Sequence, residues 1–468
     1  MRRPGLFNES IDFLPAFHAR SASRWAEQRS RFTVRISHHP RIPRRAAAAA
    51  AAIAVLLPLS ACGDGGDGGG STDASGKIEG EITFQTWNLK ANFKSYFEGV
   101  VDGFEKKYPG TKVNWVDQPG EGYADKISAD AAAGTLPDVV NVSPDLVAPL
   151  AKAGLALDLD KAAGKYEKEY LPGAWKSHQI PGTEGTYAFP WYLNTGPLFY
   201  NKRIFKDAGL DADKPPKTYD QLFDSALQLA KKSKGRTATL ANIPTIEDFG
   251  RYGVPLMDKD GTKFTFNGPK GVELLTEYKK LYDAKALDGQ ALNATPESTG
   301  KKFLTEAVAM NPGSALDLGK FKKEAPGLYK NIGITPQLTN TGKDNMYVMG
   351  VMVNTRTKQT PAAVAFAHYV TDAQRQMSFA KKVAIFPSTE GSLDDPYFTE
   401  QDGTDDTRVR VAAAKSVKTA VNYTPVLFSE QMKIELRNAV ARALQGKESP
   451  KEALDNAVKN CDRLLKQS

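Results

Sequence analysis

The residues of this chain best suited to chemistry are aromatic rings set beside amides and carboxylates. Trp87 is followed by Asn88, Ser143 and Pro144 lead to Asp145, and Trp191, Tyr192 and Asn194 lie in an aromatic run from Tyr187 to Tyr200. Rings cover apolar C–H faces, while amides and carboxylates take hydroxyl groups through directed hydrogen bonds. That combination suits reversible capture of a polar organic molecule. The patterns of covalent or metal-assisted catalysis are missing: there is no GxSxG, HExxH or P-loop. Three of the five His precede Cys62, and Cys62 and Cys461 are the sole cysteines, so no Cys/His metal cluster can be assembled. Each aromatic or acidic group also has a plainer reading. Trp191 and Tyr192 read equally as core residues of one strand, and Ser143 or Asp145 as the cap of a helix starting at Leu146.

The elements that must position these residues follow from the hydrophobic period. Ile78–Trp87 alternates and then runs apolar, which predicts a strand ending at Trp87-Asn88. Phe93, Tyr96, Phe97, Val100, Val101, Phe104 and Tyr108 recur at helical spacing and stop at Pro109-Gly110. Lys112–Val116 reads as a second strand, Tyr123–Gly134 as a second helix and Leu136–Val142 as a third strand. This alternation implies right-handed crossovers and a largely parallel sheet, which binds ligands beyond the carboxyl ends of its strands. Trp87, Asn88 and Asp145 fall at those ends. Gly185–Lys202 is β-rich but interrupted by Pro190, Gly196 and Pro197, as suits a segment leaving one sheet for another. Further on, Thr218 with Gln221, and Ser449 with Glu452, read as capping boxes. Leu240–Gly250 is polar and irregular, and Tyr347–Val353 is an apolar strand. In the last helix Cys461 shares a stripe with Leu454, Ala457, Val458, Leu464 and Leu465, so it reads as a small core residue.

With 468 residues the chain has room for two or three domains. Its net charge of +8 suggests nucleic acid until the charges are located. Ten Arg and three acids fall before Cys62, which leaves 52 basic against 51 acidic residues in the remainder. No basic domain exists, and a nucleic-acid partner is not expected. Arg41, Arg44 and Arg45 precede the apolar run Ala46–Leu57, which ends in Pro58-Leu59-Ser60-Ala61-Cys62. A positive segment, a short apolar segment and small residues at a cut site predict a signal peptide over 1–61. The run is too short to span a bilayer, which takes roughly 20 residues. Leu59–Cys62 resembles the lipobox of bacterial lipoproteins, which implies lipidation of Cys62 and anchoring to the outer face of the cell membrane. Gly63–Gly76 follows as a flexible tether. The segment before Val34 is longer than such signals need, and Arg44-Arg45 leaves general and twin-arginine export both open.

Taken together, the segments resemble the extracellular solute-binding proteins of ABC importers, in the branch that includes maltodextrin-binding proteins. The carriers are ITFQTWN, FEKKYPGTKVNW, AAAGTLPDVVNVSPDLVAPLAKAGLALDL and TYAFPWYLNTGPLFYNKRIFKDAGL, with KKFLTEAVAMNPGS, MYVMGVMVNTRTKQTPAAVAFAHYV and ALQGKESPKEALDNAV behind them. The resemblance implies an α/β, two-lobed periplasmic-binding-protein-like fold with three hinge crossings. They are expected near Phe189–Thr195, Asp344–Tyr347 and Pro387–Ser392. The expected division is a first lobe of 78–190 plus 346–388, a second lobe of 191–345 plus 389–468, and a lipidated tether over 62–77. It also implies that Leu240–Gly250 borders the cleft, with Glu247 or Asp248 as a ligand contact; the plainer reading of either is a solvated loop carboxylate. The family often carries Trp where Ser314 stands here, and its absence argues against a long oligosaccharide.

The leading expectation is a lipid-anchored receptor that captures a carbohydrate and delivers it to importer permeases, acting as a monomer without a cofactor. Trp87, Tyr123, Trp191 and Tyr192 would offer ring faces, and Asn88, Glu121, Asp145, Asn194, Asp248 and Asn345 would take hydroxyls. A second reading keeps the receptor but exchanges the sugar for a peptide, polyamine or other organic solute. A third makes the chain a secreted glycan-active enzyme using paired carboxylates.

Overall fold

The computed structural model describes residues 73–383 and 385–467. The expected signal peptide, Cys62 and most of the tether lie outside them. Strand β1 (Gly80–Trp87) pairs in parallel with β2 (Thr111–Gln118) along its whole length, and β3 (Val139–Val142) joins β1 on the other side, also parallel. The connections are α1 (Lys90–Lys107) and α2 (Tyr123–Ala133), and α3 (Pro144–Lys152) leaves β3. These boundaries follow the hydrophobic period closely. No side chain of its own caps α1. Asp117, at the end of β2, does so by accepting from the backbone N–H groups of Leu89 at 3.1 Å and Lys90 at 2.9 Å.

Three strands complete this sheet: β4 (Phe189–Asn194), β8 (Tyr347–Val353) and β9 (Phe386–Pro387), giving the order β2-β1-β3-β8-β4-β9. β8 runs antiparallel to β3 and β4, and β9 antiparallel to β4. The sheet is therefore mixed, not largely parallel. β8 arrives from the other sheet and enters from the opposite end, so its direction is reversed. A smaller sheet has β5 (Leu198–Asn201) between β6 (Met310–Pro312) and β7 (Ile332–Thr335), antiparallel to both.

One face of the larger sheet buries Ile82, Phe84, Val139, Phe189 and Trp191 with Phe97 and Phe104 of α1 and Phe366 of the helix Thr360–Thr371. The other face, with Val140 and Val142, packs with Tyr123 and Ile127 of α2 and continues into the second lobe's core. Two expectations are corrected here. Residues 191–194 belong to the larger sheet, because β4 pairs with β8 and β9 through Asn194. The first passage is thus the short link Thr195–Pro197. The third passage does not end at Ser392: Leu393, Phe398, Ala413 and Val417 still pack in the first lobe's core, while Val409 on the same helix (Asp405–Val417) joins the second.

Local signals elsewhere behave as their chemistry requires, with one shift. Ser449 and Glu452 form the reciprocal capping box, but Gln221 accepts from Lys217 N–H, one residue before the Thr218 cap. Cys461 is a free, fully buried core thiol, pushed up to about 12 by burial. Among the described residues no helix is long and apolar enough to cross a membrane.

Candidate functional site

The carboxyl ends of β1, β3 and β4 and the start of β8 lie along one rim of the larger sheet, since Trp87 closes β1, Ser143 follows β3, and Asn194 at the end of β4 faces Tyr347. Trp87 is half-buried, with its ring 4.8 Å from that of Tyr123. Tyr123 is itself buried and donates its O–H to the Asn141 carbonyl at 2.8 Å, so it backs Trp87 and offers no open face. Tyr192 lies half-buried beside Trp87, at an irregularity of β4 where its ring also meets those of Trp191 and Phe379. Burial pushes its phenol up to about 12, and the Trp87 indole N–H acts the other way. Asp145 stands second in α3, half-buried, and accepts from the Tyr347 hydroxyl at 3.3 Å. Neither Ser143 nor Asp145 makes a side-chain cap, so the capping reading falls. Asn88, Glu121 and Asn194 are exposed, and Asn88 adopts a left-handed φ of 52°, which Asn tolerates better than most residues.

Trp191 does not join this group. It is 1% exposed, inside the first lobe among Phe84, Phe97 and Phe379, because alternation along β4 sends it inward. Expecting its ring to face a ligand is therefore corrected.

Across the passages lies a cavity of about 490 Å³, lined by Asn194, Thr195, Asn242, Arg251, Gln337 and Asn345 among others. Asp248 also borders it, but not as a loop carboxylate, solvated or ligand-binding. It is the third residue of the helix Ile246–Tyr252 and 8% exposed. One oxygen accepts from Tyr219 O–H at 2.7 Å and Arg251 Nη2 at 2.6 Å, the other from Thr245 N–H at 2.8 Å and Thr245 O–H at 3.0 Å. All of its strong acceptor sites are taken, so it holds Arg251 instead of a solute.

Sequence reasoning missed Arg251, Gln337 and Tyr347. Gln337 Nε2 donates to Thr195 Oγ1 at 2.9 Å and the carbonyls of Asn345 at 3.1 Å and Gly196 at 3.2 Å. Its oxygen accepts from Asn345 N–H at 3.1 Å and Arg251 Nη1 at 3.2 Å. One amide thereby staples the first two passages together and to the second lobe. Tyr347 had a weak signal, two residues after Asn345 at the polar head of an apolar strand. Gln337 had none.

Residues 90–377, more than half of the chain, match the family described as bacterial extracellular solute-binding protein. The chain belongs to that family. Among characterised relatives, the sn-glycerol-3-phosphate-binding periplasmic protein UgpB of Brucella melitensis is 27% identical to this solute-binding protein over 321 residues, 64% of this chain and 72% of that one. The protein of the same name from Escherichia coli is 25% identical over 433 residues, 84% of this chain and 94% of its own. Two solved structures share the two-lobed fold. The sugar-binding protein MalE from Xanthomonas citri superposes with a TM-score of 0.67 at 18% identity, over 83% of this chain and 98% of that one. The GacH receptor of Streptomyces glaucescens gives 0.60 at 24% identity, over 83% and 99%. The family is one of solute-binding proteins.

Proposed function

We propose that this solute-binding protein captures a carbohydrate between its lobes and delivers it to the permeases of an ABC importer, held at the membrane by lipids on Cys62. One observation carries the reading. Rings and a carboxylate stand on the larger sheet's rim, and Asn194 at that rim lines, with Asn345, an amide-rich cavity of about 490 Å³ on the side of the smaller sheet. That volume is within the usual range for small-molecule sites. A ring face such as that of Trp87 or Tyr192 covers a sugar's C–H face, and Asp145, Asn194 and Asn345 take its hydroxyls. Relatives named for sn-glycerol-3-phosphate favour a second reading, a phosphorylated polyol. It stands behind the first because the guanidinium at the cavity, Arg251, is already paired with Asp248 at 2.6 Å. A thermal-shift comparison of maltose, trehalose, D-glucose and sn-glycerol-3-phosphate separates the two. A ligand at a hundred times its dissociation constant stabilises by about 2.7 kcal/mol. A shift with the ester alone would replace the carbohydrate reading.

The anchor has its own test. Each buried methylene of an acyl chain contributes about 0.8 kcal/mol, so two or more chains hold the protein firmly. Cys62→Ser should move the protein from the membrane fraction to the medium. If the variant is cleaved yet stays on the membrane, the anchor is not Cys62.

A further inference from the structure

We infer that Tyr347 is a positioning residue of the solute site, whose hydroxyl orients Asp145 toward the solute. The inference rests on the proposed role of Asp145 and extends it. Asp145 sits in the first turn of α3 behind Pro144, and its side chain caps nothing. Among the described residues its one side-chain hydrogen bond comes from Tyr347, whose O–H donates to Oδ1 at 3.3 Å. Carboxylates with a free torsion lose affinity to disorder, because the bound rotamer must be selected when the solute arrives. A neutral donor on Oδ1 fixes the rotamer without cancelling the charge. Oδ2 is then left to accept a charge-assisted hydrogen bond from a solute hydroxyl.

The position of Tyr347 fits this role better than a packing role. It is the first residue of β8, and the six that follow it, Val348 to Val353, are all buried, while Tyr347 is half-buried at the rim. Its phenol is held well above the ordinary range, first by burial and then by the Asp145 charge, while the Ser143 hydroxyl opposes the shift. That ordering is expected of a protonated donor facing a carboxylate. Tyr347 also comes off the second passage, two residues beyond Asn345, which Gln337 ties to Thr195 and Gly196. The orientation of Asp145 is thereby linked to the backbone that must turn when the lobes close.

The test is a double-mutant cycle on the full-length protein, read by calorimetric titration with maltose, trehalose and D-glucose. Tyr347→Phe keeps the ring and removes the donor. It should weaken the tightest of these sugars roughly threefold to tenfold, because an orienting bond and not a solute contact is lost. In an Asp145→Ala background the same change should cost nothing further, a coupling that simple loss of packing does not produce. Tyr347→Phe binding like the unmodified protein would overturn the inference, as would an equal loss in both backgrounds. If only sn-glycerol-3-phosphate binds, the carbohydrate reading falls, and the same cycle run with that ester decides the role of Tyr347 separately.

Discussion

Trp87 and Trp191 both belong to the larger sheet, yet their energetic roles are opposite. Trp191 is enclosed by three phenylalanines, so Trp191→Ala should cost about 3–5 kcal/mol of stability, measured by chemical denaturation. Trp87 is half-buried at the rim, so Trp87→Ala should spare most of the stability and reduce sugar binding instead. A Trp191→Ala variant that unfolds at the normal denaturant concentration would remove Trp191 from the core. His178 is a second residue whose burial has a readable consequence. It is fully enclosed against Gly350, where a Cβ would lie 2.7 Å from the imidazole, and burial lowers its pKa to about 4. The unfolded chain takes up a proton near pH 6.5 and the folded chain only near 4. Stability is therefore whole above about pH 6.5 and lost as pH falls toward 4, by roughly 3 kcal/mol over the full window. The difference in unfolding free energy between the protein and His178→Gln should change across that window; a constant difference from pH 7 to 4 would show that His178 does not report it.

At the scale of elements, the passages are held by two side-chain amides, Gln337 half-buried and Gln376 buried. Gln337 clasps the first and second, and Gln376 donates to Ser388 Oγ at 2.9 Å, fixing the start of the third to β4 through the carbonyls of Pro190 and Trp191. These clasps divide the labour: one ties the first two passages to the second lobe, the other ties the third to the first lobe. Gln337→Ala removes the acceptor of the Asn345 N–H, while the Thr195 hydroxyl still donates to the Asn345 carbonyl, at a cost of about 1–3 kcal/mol. Its expected signature is faster hydrogen exchange at Asn345 and Gly196, with the β1–β3 amides unaffected. Unchanged exchange at the passages would mean that the strands themselves hold them.

At the scale of the molecule, two lobes joined by three passages can close by hinge motion. Small-angle scattering should register a modest fall in radius of gyration when a binding sugar saturates the protein. An unchanged radius would leave the site open on one side and would count against closure. The chain's basic surplus lies before Cys62.

Much of this architecture was legible in the chain itself. The alternation of strand and helix from Ile78 to Val142, the capping residues and the position of Asp145 beyond a strand are local facts, set by period and propensity within about ten residues. So is the Cys461 stripe. What only the tertiary structure decided depends on strands distant in sequence. The fate of Trp191 turned on β4 pairing with β8 and β9, which fixes which face is interior. The fate of Asp248 turned on Tyr219 and Arg251 reaching its carboxylate, with Tyr219 29 residues upstream. Gln337 meets Thr195 from 142 residues away and Tyr347 meets Asp145 from 202, and no local periodicity encodes either encounter. A sequence specifies the face a side chain takes relative to its own element; which partner waits on that face is settled when the sheets assemble.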